Sequence, residues 1–182
     1  LTVYDLRVED ATLTYRDQQT GQSASLKLAR FEAQSTSGQS PIQLDLEAKV
    51  DDIGFGLAGS LGSIKALTDP NVAWPIDVTL KGPGSSVDVK GEIQDPMTPK
   101  GIALALAAEV TDPGKLNQAL DQELPLQTPL TVKASASDPQ AMVYALKDLE
   151  VVHGKSDLKG SCTVGLTGPR PSVALDLTSE TI

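Results

Sequence analysis

Pro41-Ile42-Gln43-Leu44-Asp45-Leu46-Glu47-Ala48-Lys49-Val50 alternates apolar and polar residues without a break. Successive side chains of an extended chain leave on opposite sides, so Ile42, Leu44, Leu46, Ala48 and Val50 share one face and Gln43, Asp45, Glu47 and Lys49 the other. One greasy face and one wetted face is the mark of an antiparallel sheet strand. Working outward, the same period runs through Ile53, Phe55 and Leu57, then Ile76, Val78 and Leu80, then Val87, Val89 and Ile93. It returns in Ile102, Leu104 and Leu106, in Leu130, Val132 and Ala134, and in Leu158, Cys162, Val164 and Leu166. Val173, Leu175 and Leu177 close the chain, while Ala11, Leu13 and Tyr15 and then Ala24, Leu26 and Leu28 open it around a Gln18 to Gly21 turn. The expectation is about a dozen strands in a mainly β, antiparallel meander.

The connections carry turn chemistry. Gly82-Pro83-Gly84-Ser85, Gly168-Pro169-Arg170-Pro171 and Ser37-Gly38-Gln39-Ser40 are short and rich in the residues that reverse a chain. Two segments follow a helical period instead: Leu61, Ile64 and Leu67 near Gly62 to Thr68, and Leu116, Ala119 and Leu120 after Asp112-Pro113. In the second, Asp112 suits the N-cap and Pro113 the first helical position. Pro41-Ile42-Gln43-Leu44, Pro75-Ile76-Asp77-Val78 and Pro129-Leu130-Thr131-Val132 form a weak repeat, each followed downstream by a strand glycine, Gly59, Gly91 or Gly160. The chain therefore reads as a single β-rich, repeat-type domain over 1–182, with weak internal units around 41–70, 75–121 and 129–182, a sheet that could be lengthened by further units.

Composition bounds the function. Leu, Ile, Val and Phe supply 47 of 182 residues, enough to fold. Six aromatic residues and a net charge of -9 disfavour base stacking and phosphate backbones, so nucleic acid is not an expected partner. A single cysteine and a single histidine leave few routes to a disulfide or a transition-metal site. The longest apolar run, Ile102 to Ala108, is far shorter than the ~20 residues of a spanning helix. Leu1 is not a start residue, and the chain reads as part of a longer protein.

The search for chemistry is unproductive. His153 lacks a Gly-x-Ser-x-Gly serine to activate. Cys162 shares parity with Leu158 and Val164 and reads as a small hydrophobe. Gly154-Lys155-Ser156 resembles the end of a phosphate loop, but the first glycine would fall at Leu149 and a strand pattern follows where a helix is needed. Asp51, Asp52 and the aspartates of Asp69-Pro70, Asp95-Pro96, Asp112-Pro113 and Asp138-Pro139 read as turn caps, since no Asp-x-Asp-x-Asp-Gly loop gathers them around calcium. No catalytic residue, cofactor or metal is expected. What remains is one aliphatic face shared by all the strands, with two short helices to cover it. It either packs on itself as a sandwich or curls into an open, taco-like groove suited to acyl chains. The candidate lipid-facing residues are Leu44, Leu46, Val78, Leu80, Val87, Val89, Leu104, Leu106 and Val132.

Three stretches carry a family resemblance: Asp10-Ala11-Thr12-Leu13-Thr14-Tyr15-Arg16-Asp17 with Thr20-Gly21, Leu57-Ala58-Gly59-Ser60-Leu61-Gly62, and Gly154-Lys155-Ser156-Asp157-Leu158-Lys159-Gly160 with Arg170-Pro171. In order and spacing, over nearly the whole chain, they resemble the C-terminal periplasmic region of the AsmA family of Gram-negative envelope proteins. The resemblance implies an inner-membrane-anchored protein projecting into the periplasm, whose β-rich repeats form a hydrophobic groove for phospholipid traffic or outer-membrane homeostasis. It supplies no catalytic residue. Its implied partners are phospholipid acyl chains, neighbouring repeats and, through an anchor absent from this sequence, the inner membrane. A structural or protein-interaction β-sandwich scaffold of an envelope protein is the alternative, and an esterase or glycosidase on such a sandwich a third.

Overall fold

The computed structural model describes residues 4–16, 23–122, 127–167 and 170–181. The expected Gln18 to Gly21 turn and the Gly168-Pro169 pair lie outside them. One eleven-stranded antiparallel sheet runs in strict chain order: β1 (Asp5–Arg16), β2 (Ser23–Gln34), β3 (Ile42–Val50), β4 (Ile53–Leu61), β5 (Trp74–Gly82), β6 (Ser85–Asp95), β7 (Lys100–Val110), β8 (Leu130–Gln140), β9 (Val143–His153), β10 (Ser156–Gly165) and β11 (Ser172–Thr178). Helix α1 (Ile64–Leu67) links β4 to β5 and α2 (Pro113–Leu120) links β7 to β8, so the helices lie at opposite ends of the strands. Among the described residues no helix is long and apolar enough to cross a membrane.

The two-residue Asp51-Asp52 turn joins β3 to β4 with both aspartates left-handed, φ 48° and 71°, the mirror-image turn whose twist matches a hairpin. Asp51 accepts from the Ser25 amide at 2.9 Å, and Lys27 Nζ reaches Asp52 at 2.8 Å. Three of the four Asp-Pro aspartates cap local turns, whereas Asp138 accepts from the neighbouring strand β7. Asp69 accepts from Asn71 N (3.0 Å), Asp95 from Thr98 N (3.3 Å), Asp112 from Lys115 N (3.1 Å), and Asp138 from Gly101 N (2.9 Å) and Ile102 N (2.5 Å). Asp112 is thus the α2 N-cap with Pro113 behind it, and Ser63 caps α1 through Ala66 N at 3.1 Å.

The sheet is a single open layer. Among the described residues the side chains in the buried class are four alanines, Ala48, Ala66, Ala134 and Ala145, and no large side chain is fully enclosed. A sandwich would enclose a slab of Leu, Val and Ile between two layers, so the closed alternative is not what forms.

Three strand glycines share an unusual backbone conformation and a close approach to the next strand. Gly59, Gly91 and Gly160 have φ of +149°, +144° and +152°. A Cβ on each would sit 2.1 Å from Asp77 O, 2.1 Å from Ala103 O and 1.8 Å from Asp176 O, always a carbonyl of the next strand. Glycine kinks and bulges are how sheets acquire curvature. One bulge inserts an extra residue in β2 between Leu28 and Arg30, opposite a left-handed Asp10 in β1, and another inserts one in β9 near left-handed Asp148.

Replacing Gly59 by Ala adds left-handed strain to a backbone collision, and a loss of at least about 2 kcal/mol in urea unfolding is expected. Unchanged stability would mean that the kink is not required. Asp112 has its carboxyl held below the ordinary range by the Lys115 amide, then by the Lys115 ammonium. A depressed pKa adds stability that is present above the unfolded-state value and lost as pH falls through the folded one. The Lys115 amide should therefore exchange faster, after correction for intrinsic rates, once the pH drops below the carboxylate range, and the D112N variant should lack that step.

Candidate functional site: the apolar face

The ladder register assembles the strand alternation into transverse rows. One row passes from Val8 through Phe31, Leu46, Leu57, Leu80, Val87, Ala108, Val132 and Val151 to Leu158, crossing β1 to β10 without a polar side chain. The next holds Leu44, Gly59, Val78, Val89, Leu106 and Ala134, and a third holds Ile76, Gly91, Leu104, Ala136 and Leu146. All nine candidate residues therefore stand on one face, in three adjacent rows. Leu80 (41%) and Val87 (37%), cross-strand partners, are the most exposed of the nine, and the other seven are half-buried. At the edges exposure rises, to 67% at Leu13 and 63% at Leu175. From strand spacing and rise the face measures about 50 Å across the strands and about 30 Å along them.

Sequence reasoning missed several members. Phe31 lies beyond the β2 bulge, where the parity of Leu26 and Leu28 is reversed, and Leu146 and Leu149 in β9 are both turned to this face by the extra residue near Asp148. The Leu146-Lys147-Asp148-Leu149 spacing, where two polar residues in a row break the period of two, is the signal that could have flagged the β9 bulge.

The opposite face is charged and self-paired. Arg7 meets Glu32, Arg30 meets Asp45 at 2.7 Å and Glu47 at 3.4 Å, and Lys90 meets Asp77 at 2.7 Å. Asp45 and Glu47 hold the Arg30 guanidinium more firmly protonated, the Asp77 hydrogen bond does the same for Lys90, and the Lys27 hydrogen bond lowers the Asp52 carboxyl. Such exposed pairs add little stability but favour this register over a slipped one. Two open hollows on this face, about 390 and 510 Å³, lie over the small outward residues Gly56 and Ala58 of β4 and Ala105 and Ala107 of β7.

Cys162 is free and half-buried on the apolar face between Leu146 and Leu175. His153 ends a row at the α2 end of the sheet, paired with Leu130 on one side and Ser156 on the other. Its Nε2 is shielded from solvent and has no hydrogen-bond partner among the described residues. Gly154-Lys155 forms the tight β9–β10 turn and β10 follows directly, so there is no helix N-terminus to cradle a phosphate. No group of three or more metal-ligating side chains gathers among the described residues.

Comparison with family models, with curated proteins and with solved structures finds no match to this chain. The geometry of the apolar face therefore carries the functional argument.

An accessible face of this kind should bind an uncharged solvatochromic dye in the native state. Nile red fluorescence should rise with folded protein and fall when Leu80 and Val87 are both replaced by Asp. A dye response that appears only on unfolding would mean that the face is covered in solution.

Proposed function

We propose that this chain is a non-enzymatic lipid-binding module whose apolar face shields acyl chains from water. The observation that carries the reading is the row from Val8 to Leu158, which stays apolar across ten strands while no second layer covers it. An uncharged, half-exposed surface of this extent exceeds the few hundred Å² that a soluble monomer leaves bare. Each CH₂ moved from water onto it contributes about 0.8 kcal/mol, so aliphatic chains bind without specific polar contacts. The AsmA resemblance supports the same reading and adds its setting: a periplasmic segment of an inner-membrane-anchored protein that conducts phospholipid between the two membranes. On that reading neighbouring repeats extend the groove from its ends.

A structural scaffold is the second reading, favoured by the two sheet edges, β1 and β11, which pair with no further strand among the described residues. Strand β11 is exposed along its whole length, and an unpaired edge is a template for another strand.

Mass spectrometry of the organic extract from protein purified without detergent, against a matched soluble control, separates them. Near-stoichiometric phospholipid is expected from the native chain. Val78→Glu and Leu104→Glu should abolish lipid retention with circular dichroism unchanged, because a carboxylate on an open face stays hydrated. If these variants unfold instead, or if the native extract is clean, the groove reading fails in favour of the structural scaffold.

A further inference from the structure

The β9–β10 turn is a polar terminus to the apolar rows. Four residues of the chain, His153-Gly154-Lys155-Ser156, make the hairpin, with the His153 and Ser156 Cα positions paired across it. By register both belong to the apolar face, one row beyond Val151 and Leu158. Thr128 leans on the turn from the α2 side, close enough that a Cβ at Gly154 would lie 3.0 Å from its Oγ1. Lys155 projects from the turn as an exposed cation in a chain of net charge -9. His153, Lys155 and Ser156 thus share one turn, with Thr128 beside it, where the central uncharged rows end.

One atom here is unexplained by the fold. His153 Nε2 is out of solvent and unpartnered among the described residues, and a buried polar atom left so is costly unless something completes it. The other such atom, Arg30 Nε, belongs to a guanidinium already paired with Asp45 and Glu47 on the charged face. Imidazole donates to a phosphate oxygen as the Nε2–H tautomer or as the cation, and ammonium and hydroxyl groups are donors to the same acceptor. Leu130, Val132 and Val151 adjoin His153 on the same face and offer no competing acceptor side chain.

We propose that the phosphate head of an amphiphile whose chains lie on the apolar rows is received at this turn by His153, Ser156 and Lys155, which fixes its orientation with the head toward the α2 end. The inference deepens the lipid-binding reading and rests on it.

The test uses the full 182-residue chain, methyl-labelled at Ile, Leu and Val and ¹⁵N-labelled at its single imidazole, so that the ring signals need no assignment among competitors. It is titrated with dihexanoyl phosphatidylglycerol below its micelle concentration, with uncharged dihexanoylglycerol, and with inorganic phosphate. Both lipids should move the apolar-face methyls, and only the phosphatidylglycerol should move the His153 ring nitrogens. His153→Leu should weaken phosphatidylglycerol binding about tenfold, the equivalent of one charge-assisted hydrogen bond, leave dihexanoylglycerol unaffected and keep the native circular dichroism. His153→Gln, which keeps a donor, should restore most of the affinity. If both lipids move the methyls but the ring is unmoved, or if His153→Leu weakens both lipids equally, the head-group placement is wrong while the lipid-binding reading stands. A ring that responds to inorganic phosphate at the concentration of the lipid marks a free-phosphate site and also overturns it. No methyl response to either lipid overturns the reading on which it rests.

Discussion

One constraint governs the molecule: every strand is apolar on the same side, and among the described residues no second layer receives that side. An antiparallel sheet ordinarily resolves this by folding over or by recruiting helices. Here the meander keeps each strand beside its chain neighbours from β1 to β11, and the helices, four and eight residues long, sit at the strand ends. The apolar term is therefore only partly satisfied, by neighbouring side chains along each row. Backbone ladders and the capping aspartates hold the sheet where a buried core would otherwise do so. The central rows of the face are free of charge, while the opposite face carries cross-strand ion pairs.

The kinks and bulges follow from the same constraint. A flat sheet of eleven strands would present its whole apolar face to water, whereas curvature brings side chains of adjacent rows together. Gly59, Gly91 and Gly160 allow this because the next strand's carbonyl occupies the space a Cβ would need. Their recurrence in β4, β6 and β10 gives the weak sequence repeat a physical content: the repeated property is a backbone conformation together with a close approach, which similarity of side chains barely records.

What could be read from the sequence divides along that line. Strict alternation such as Ile42 to Val50 made the face, its nine central residues and the antiparallel class legible. The caps at Asp69, Asp95 and Asp112 and the α2 start were legible too, because local turn chemistry decides them, whereas the cross-strand bonds of Asp138 were not. Strand β9 was not legible, since an extra residue near Asp148 breaks the period, and the far half of β2 was obscured by the bulge after Leu28. The choice between a sandwich and an open layer was not legible either. Alternation records which side of a strand is apolar and is silent on what meets that side, a property of distant pairings. His153 showed the converse problem. Judged as a catalytic base it has no partner, and its interest appears only once the register sets it at the end of an uncharged row.

An incompletely covered face also ties folding to occupancy on the proposed function. A ligand that binds the native sheet and has little affinity for the unfolded chain stabilises it by RT ln(1 + [L]/Kd), so acyl chains would complete the layer that the polypeptide leaves out. The face suits that role because it lacks specific anchors: rows of Leu, Val and Ala accept chains of differing length and saturation with little penalty, and selectivity passes to whatever meets the polar head. A smooth aliphatic field with a donor cluster at one end can therefore hold an amphiphile in a defined direction while leaving its chains free to slide.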